Sequence, residues 1–201
     1  MILIVKWKGS ATLPIKIFID QGHNPTGFPN AGATANGLFE SDINYNVGRY
    51  LADLLNDDPR FEARLSRPTP TTVLGTSNAT SLAERVRMAN EWPADYFISI
   101  HCNSNPNPAI NGTEVYIYQY NTQAQWFAQQ IMTGITGTVG TKNNGIRANP
   151  SLFVLRRTNM TSVLVELGYL TNTSDAEKLR DNQHGFAYGI YIGVMRYFGF
   201  A

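Results

Sequence analysis

Tyr96-Phe97-Ile98-Ser99-Ile100-His101-Cys102 is an apolar run, rich in aromatic and β-branched residues, that closes on a histidine. Such a run reads as a buried strand. Just upstream, Leu82, Val86 and Ala89 recur at helical spacing, and Ser81 with Glu84 forms the pattern of a capping box that would open this helix. Further toward the N-terminus, Ile15 to Asp20 (IKIFID) is a second buried strand, ending on a carboxylate and followed by a Gly/Asn/Pro-rich loop from Gln21 to about Asn36. Ile43, Val47, Leu51, Leu54 and Leu55 then mark an amphipathic helix over about Leu38 to Asn56, and Phe61 to Ser66 suits a strand before a Pro/Thr-rich loop from Arg67 to Asn78.

Downstream of the opening run the alternation continues. Thr113 to Tyr118 reads as a strand, and Ala124, Phe127, Ile131 and Ile135 as a helix. Leu152 to Leu155 and Ser162 to Leu167 are strand-like, and Ser174 with Glu177 is a second capping-box pattern, opening a helical region that carries Leu179, Phe186, Ile190 and Val194. Strands alternating with helices predict an α/β domain with a central sheet covered on both faces.

The 201 residues are enough for one domain, and 43% hydrophobic content is enough for its core. Lys plus Arg number 16 against 15 Asp plus Glu, so no basic field exists to hold a nucleic-acid backbone. One cysteine, Cys102, rules out an internal disulfide and any four-cysteine zinc module. The run Met1 to Val5 is too short to span a bilayer, which takes about 20 apolar residues, and it lacks the positive flank of a signal peptide. No transmembrane segment is expected.

In α/β sheets the reactive groups gather at the carboxyl ends of strands. His23 follows the first strand, His101 ends the third, and Glu166 lies within the apolar Val163-Leu164-Val165-Glu166-Leu167-Gly168. Glu40, three residues before Ile43 and seven before Val47, points to the buried face of its helix. A carboxylate buried there needs a partner. Two imidazoles and one carboxylate around a metal would provide it, and with a water they make a tetrahedral catalytic zinc site. The second glutamate would serve as general base. Each residue also has a plain structural reading: a hydrogen-bonded histidine, or a glutamate placed favourably at a helix N-terminus.

In the same order along the chain stand Ile19-Asp20-Gln21-Gly22-His23; Glu40 with Asn44 and Val47; Leu65-Ser66-Arg67; Glu84-Arg85 with Ala89-Asn90; Ile98 to Ser104; Gly112 to Tyr116; and Val163 to Asn172. Together these blocks resemble the zinc-dependent N-acetylmuramoyl-L-alanine amidases of the type-3 class. The resemblance implies a twisted sheet of about six strands, mostly parallel or mixed, flanked by helices. It implies an extension over residues 1–14 and a single zinc amidase catalytic domain over 15–201. It further implies His23, Glu40 and His101 as ligands of Zn2+, Glu166 as the catalytic glutamate, and peptidoglycan as substrate, cut between the muramic acid lactyl group and the first L-alanine of the stem. Asn24 stands where the family usually has glycine, and Met160-Thr161-Ser162 where a proline is common.

Asn103, Asn24 and Arg147 are candidates for substrate contact, Arg147 through its guanidinium fork. Cys102 should face away from His101 across the strand, as a small buried thiol. His184 falls outside every matching block. A zinc peptidase of related fold and a wall-binding module without turnover are the alternatives. The site of action implied is the bacterial cell wall. Phage lysins, sporulation or germination enzymes and division amidases share these motifs, and with no recognisable wall-binding repeat, targeting is expected from the groove itself, a further wall-binding domain or a partner protein.

Overall fold

A computed structural model describes residues 13–201. The extension expected over residues 1–14 lies outside the described residues except for Leu13 and Pro14. The strands are β1 (Ile15–Gln21), β2 (Thr34–Ala35), β3 (Leu38–Phe39), β4 (Phe61–Leu65), β5 (Tyr96–Asn103), β6 (Thr113–Ile117), β7 (Asn143–Ala148) and β8 (Thr161–Tyr169). The helices are α1 (Glu40–Asn56), α2 (Asn78–Glu91), α3 (Gln123–Val139), α4 (Phe153–Arg157), α5 (Thr173–Asp181) and α6 (Gln183–Tyr197).

Six strands form one sheet in the order β4-β1-β5-β8-β6-β7, while β2 and β3 make a small hairpin that leads into α1. The pairs β1/β4, β1/β5, β5/β8 and β6/β7 are parallel; β6 runs antiparallel to β8. The sheet is therefore mixed, as expected. Side chains alternate across it with period two. Ile17, Ile19, Ile98, Ile100, Val163 and Val165 pack with the apolar faces of α1, α3 and α6 in the larger core. Phe18, Phe97 and Leu164 pack on the opposite face with Val86 and Ala89 of α2 and Val154 and Leu155 of α4. Cys102 lies in the larger core, turned away from His101 as its place in the strand required. No helix of the described residues is long and apolar enough to cross a membrane.

Four local expectations change. The α2 N-cap is Ser77, whose hydroxyl accepts from the Thr80 N–H while Thr80 reciprocates. Ser81 is thus inside the helix and buried. Asn172 caps α5 by accepting from the Asp175 N–H at 3.0 Å, which leaves Ser174 and Glu177 in the helix interior. Leu152 to Leu155 is not a strand: Phe153–Arg157 forms a short helix, because an apolar run this short satisfies either geometry and packing decides. The strand that does exist there is β7, at the sheet edge; its Asn143-Asn144-Gly145-Ile146-Arg147-Ala148 has no apolar alternation to announce it.

Candidate metal centre

Three parallel connections bring the sequence-expected ligands to one end of the sheet. The first residues after β1 form a tight turn in which His23 takes a left-handed backbone (φ 70°). Glu40 is the first residue of α1 and is buried, its N–H bonded to the Ala33 carbonyl at 3.0 Å. His101 stands near the end of β5. Glu40 Oε1 lies 3.1 Å from His23 Nε2 and 3.1 Å from His101 Nδ1. The candidate donor atoms of the three residues all fall within 4.8 Å of one another. Glu40 Oε2 accepts from the Ala33 N–H at 2.8 Å, and Oε1 also accepts from the Cys102 N–H at 3.1 Å.

The chemistry of this donor set fits a metal. His23 Nδ1 faces the Asn30 backbone carbonyl at 3.2 Å and the Asn30 side-chain oxygen at 3.0 Å. Facing a carbonyl, Nδ1 must carry the proton, so a neutral His23 presents only a lone pair at Nε2. A lone pair pointed at a carboxylate oxygen is repulsive unless a cation stands between them. A proton on the ring or a metal ion supplies that cation. An N–H anchored on a carbonyl is also the usual arrangement behind a metal-binding imidazole. Donors that share one ion at about 2 Å each must lie within a few ångströms of each other, as these do. Burial opposes protonation of His23, but the hydrogen bond with Glu40 outweighs it and raises the imidazole pKa. Burial likewise opposes ionisation of Glu40, and the two histidines reverse it, holding the carboxyl well below its ordinary range.

Glycine makes this close approach possible. A Cβ at Gly22 would collide with the His101 ring. One at Gly32 would sit 2.7 Å from Glu40 Oε2 and 2.8 Å from His23 Cδ2, in a backbone with φ +82° that L-residues rarely adopt. Gly32→Ala should therefore weaken metal binding by about 10- to 100-fold, in the range of changes just behind a metal's ligands. Competition with a chromogenic chelator measures it; unchanged affinity would show that the approach is not limiting.

Glu166 pairs directly with His101 across β5 and β8, and Glu114 of β6 pairs with Glu166 on its other side. His101, Glu166 and Glu114 thus form one row on one face of the sheet. Glu166 Oε2 is buried and has no hydrogen-bond partner among the described residues. Burial, with Glu40 and Glu114 adding, pushes its carboxyl pKa well above the ordinary value. A buried acid with an unpartnered oxygen beside a metal-competent triad is the arrangement a general base requires.

Behind the row lies support that the sequence reading did not assign. Arg85 Nη1 donates to Asp20 Oδ1 and to the Gln21 carbonyl, both at 2.6 Å, while Nη2 donates to the His23 carbonyl at 2.7 Å. Arg67 Nη1 donates to the same His23 carbonyl at 3.3 Å and to the Ser41 carbonyl at 2.9 Å. Burial, then the nearby Arg85, pushes the Arg67 pKa down to about 10. Asn30, behind His23, donates to Ser81 Oγ at 3.2 Å.

The remaining candidates part ways. Asn24 is fully buried: its amide donates to the carbonyls of Pro29 and Leu74 and accepts from the Leu74 N–H. It clamps the loop that carries His23 and has no surface to offer a substrate, which corrects its expected role. Asn103 is half-buried and its side-chain oxygen accepts from the Ser104 N–H. Arg147 is exposed and pairs with Glu114 Oε1 at 3.1 Å. His184, at the start of α6, meets the Tyr50 ring edge-on, apart from the triad.

Comparison with known proteins agrees with the resemblance. The family model described as N-acetylmuramoyl-L-alanine amidase matches residues 17–196. The N-acetylmuramoyl-L-alanine amidase LytC of Bacillus subtilis (strain 168) is 35% identical over 90% of this chain, which spans about a third (35%) of that relative's length. The protein YqiI of the same strain is 33% identical over 90% of this chain and 84% of its own length. Among solved structures, an N-acetylmuramoyl-L-alanine amidase from Clostridium difficile 630 superposes with a TM-score of 0.83 at 29% identity, covering 94% of this chain and 98% of that one.

Proposed function

The chain belongs to the N-acetylmuramoyl-L-alanine amidase family and is an enzyme of that hydrolase class, and on that premise we propose that it cuts the amide between N-acetylmuramic acid and L-alanine of peptidoglycan with Zn2+ held by His23, Glu40 and His101. The observation that carries the metal assignment is the lone pair of His23 Nε2 facing Glu40 Oε1 at 3.1 Å while Nδ1 is committed to Asn30. When bound, zinc supplies a Lewis acid that brings the pKa of a ligated water to about 7 and polarises an amide carbonyl.

The chain's own residues supply the rest. The His23 ring is held in one tautomer by Asn30, and Glu40 is held by the Ala33 and Cys102 amides. Glu166, one strand from His101 and half-buried, takes a proton from the attacking water on its carboxylate and returns it to the departing L-alanine nitrogen. The new C–O bond forms first and the C–N bond then breaks; with the water's second proton also ending on the nitrogen, the products are a lactyl carboxylate and a stem peptide with an ammonium terminus. Val165 and Leu167, on either side of Glu166 in β8, pack into the larger core on the opposite face and fix the strand that presents it.

Dialysis against a chelator should remove about one zinc per chain and abolish amine release from peptidoglycan, with both restored on adding zinc back. Product analysis separates this reading from its rivals. Intact stem peptides with a new L-alanine amino terminus identify an amidase; shortened stems identify a peptidase. Binding to sacculi without amine release identifies a wall-recognition module. With peptidoglycan as substrate, the enzyme acts at the cell wall, and a separate wall-binding domain or partner protein would add targeting that this domain does not display.

A further inference from the structure

Arg147 does not belong to the candidate metal centre, yet it shares a sheet face with the residues beside it. It lies on edge strand β7 opposite Tyr116 of β6, and both share the sheet face of Glu114, Glu166 and His101. Its guanidinium reaches along the sheet to Glu114 Oε1 at 3.1 Å. Glu114 is itself immobilised, with Oε1 accepting from the Tyr169 hydroxyl at 2.9 Å and Oε2 from the Tyr116 hydroxyl at 2.7 Å. A buried carboxylate held on both oxygens thus fixes one edge of a cation whose side chain is 53% exposed. The rest of the fork faces solvent beside the row. An arginine tethered this way is pre-oriented, so little entropy is lost when it binds a ligand.

Three buried or half-buried carboxyl groups, those of Glu40, Glu166 and Glu114, surround the place where chemistry would occur. The metal would offset Glu40; farther along the same sheet face, an anionic group of the substrate would need a cation of its own. Arg147 stands on that face. Its strand stands two strand spacings, about 10 Å, from the strand of Glu166. An extended peptide spans roughly 7 Å in two residues, and the arginine side chain reaches inward across the remainder.

Resting on the amidase reading above, we infer that Arg147, positioned by Glu114, binds the α-carboxylate of the second stem-peptide residue and makes the enzyme selective for stems in which that group is a free acid. The carboxylate accepts a forked pair of N–H groups, a contact that a carboxamide meets with only one oxygen and no charge. Glu114 positions the fork; it does not touch the substrate.

The test uses the whole chain, loaded with zinc, and peptidoglycan strands that differ only in whether the second stem residue carries an α-carboxylate or an α-carboxamide. New L-alanine amino termini are counted to give kcat and KM. The native enzyme should favour the acid form by about 10- to 100-fold in kcat/KM, mainly through KM. Arg147→Met should collapse that ratio to near one, and Arg147→Lys, which keeps charge without the fork, should fall between. A melting curve for each variant checks that it is folded. Equal kcat/KM for the two forms in the native enzyme overturns the assignment while leaving the amidase reading intact. So does a ratio that survives in Arg147→Met, including a uniform fall in kcat for both forms, which would mark a structural role. If neither form is cut, the amidase reading fails and this inference with it.

Discussion

Glu166→Gln is expected to lower kcat by about 10²- to 10⁴-fold, the usual loss when a positioned acid–base group is removed, while the protein still binds about one zinc per chain. The substitution is nearly isosteric and leaves His23, Glu40 and His101 in place, so a loss of metal would mean that Glu166 belongs to the ligand set. The same change should not cost stability. Without a metal, the residue is half-buried, its buried Oε2 has no partner among the described residues, and its pKa is raised well above the ordinary value. A carboxyl raised in this way contributes fully to stability below its unfolded pKa, and that contribution is lost as pH rises through the folded one. A neutral amide escapes that loss. The variant's melting temperature should therefore equal or exceed the native value at neutral pH, and normal turnover in Glu166→Gln would refute the assigned role.

Arg85→Met is expected to destabilise the fold by about 3–5 kcal/mol, the cost of stranding one partner of a buried ion pair. For a domain of this length, that is a fall in melting temperature of roughly 10 °C. Arg85 and Asp20 are each 1% exposed and their 2.6 Å contact is shut off from water. Without the guanidinium, Asp20 keeps only the Ser99 hydroxyl at 2.8 Å, and the Gln21 carbonyl loses its donor. Adding Asp20→Asn should recover part of the loss, since no uncompensated charge is then buried. If the single variant melts like the native protein, the pair carries no weight in the fold. Metal affinity should fall too, because Arg85 holds the His23 carbonyl. The pair also sets an acid limit. Burial raises the Asp20 carboxyl pKa, but Arg85 overrides it and leaves it lowered. The stability that Asp20 contributes is present above its unfolded pKa of about 4 and is lost as pH falls through the depressed folded value.

The α/β class and the site were legible because the informative residues broke strong local patterns. Glu166 interrupts an apolar strand, His101 ends one, and Glu40 falls on the buried side of a helical stripe. Arg85 left a trace of the same kind: it lies three residues after Leu82 and four before Ala89, on the apolar stripe of α2, where a charge needs a buried partner. Asp20, at the end of an apolar strand, was the natural candidate. What could not be read depends on tertiary context. Ser77 and Ser81 are both acceptable caps, and the choice between them falls to the packing of α2 on the sheet. The β7 edge strand has too little apolar content to show itself, so the neighbourhood of Arg147 was hidden with it. Asn24, beside His23 in sequence, gave no sign that its amide would be consumed by the carbonyls of Pro29 and Leu74.

The left-handed turn at His23, the first residue of α1 and the far end of β5 come from segments that meet only after the sheet is in register; His101 and Glu40 are 61 positions apart along the backbone. No short peptide cut from this chain can assemble the pocket. A metal held by all three side chains would therefore need β1, β5 and the start of α1 in their folded places. Its occupancy would then count folded molecules, and a metal-release dye would gauge the native fraction of a preparation without an activity assay.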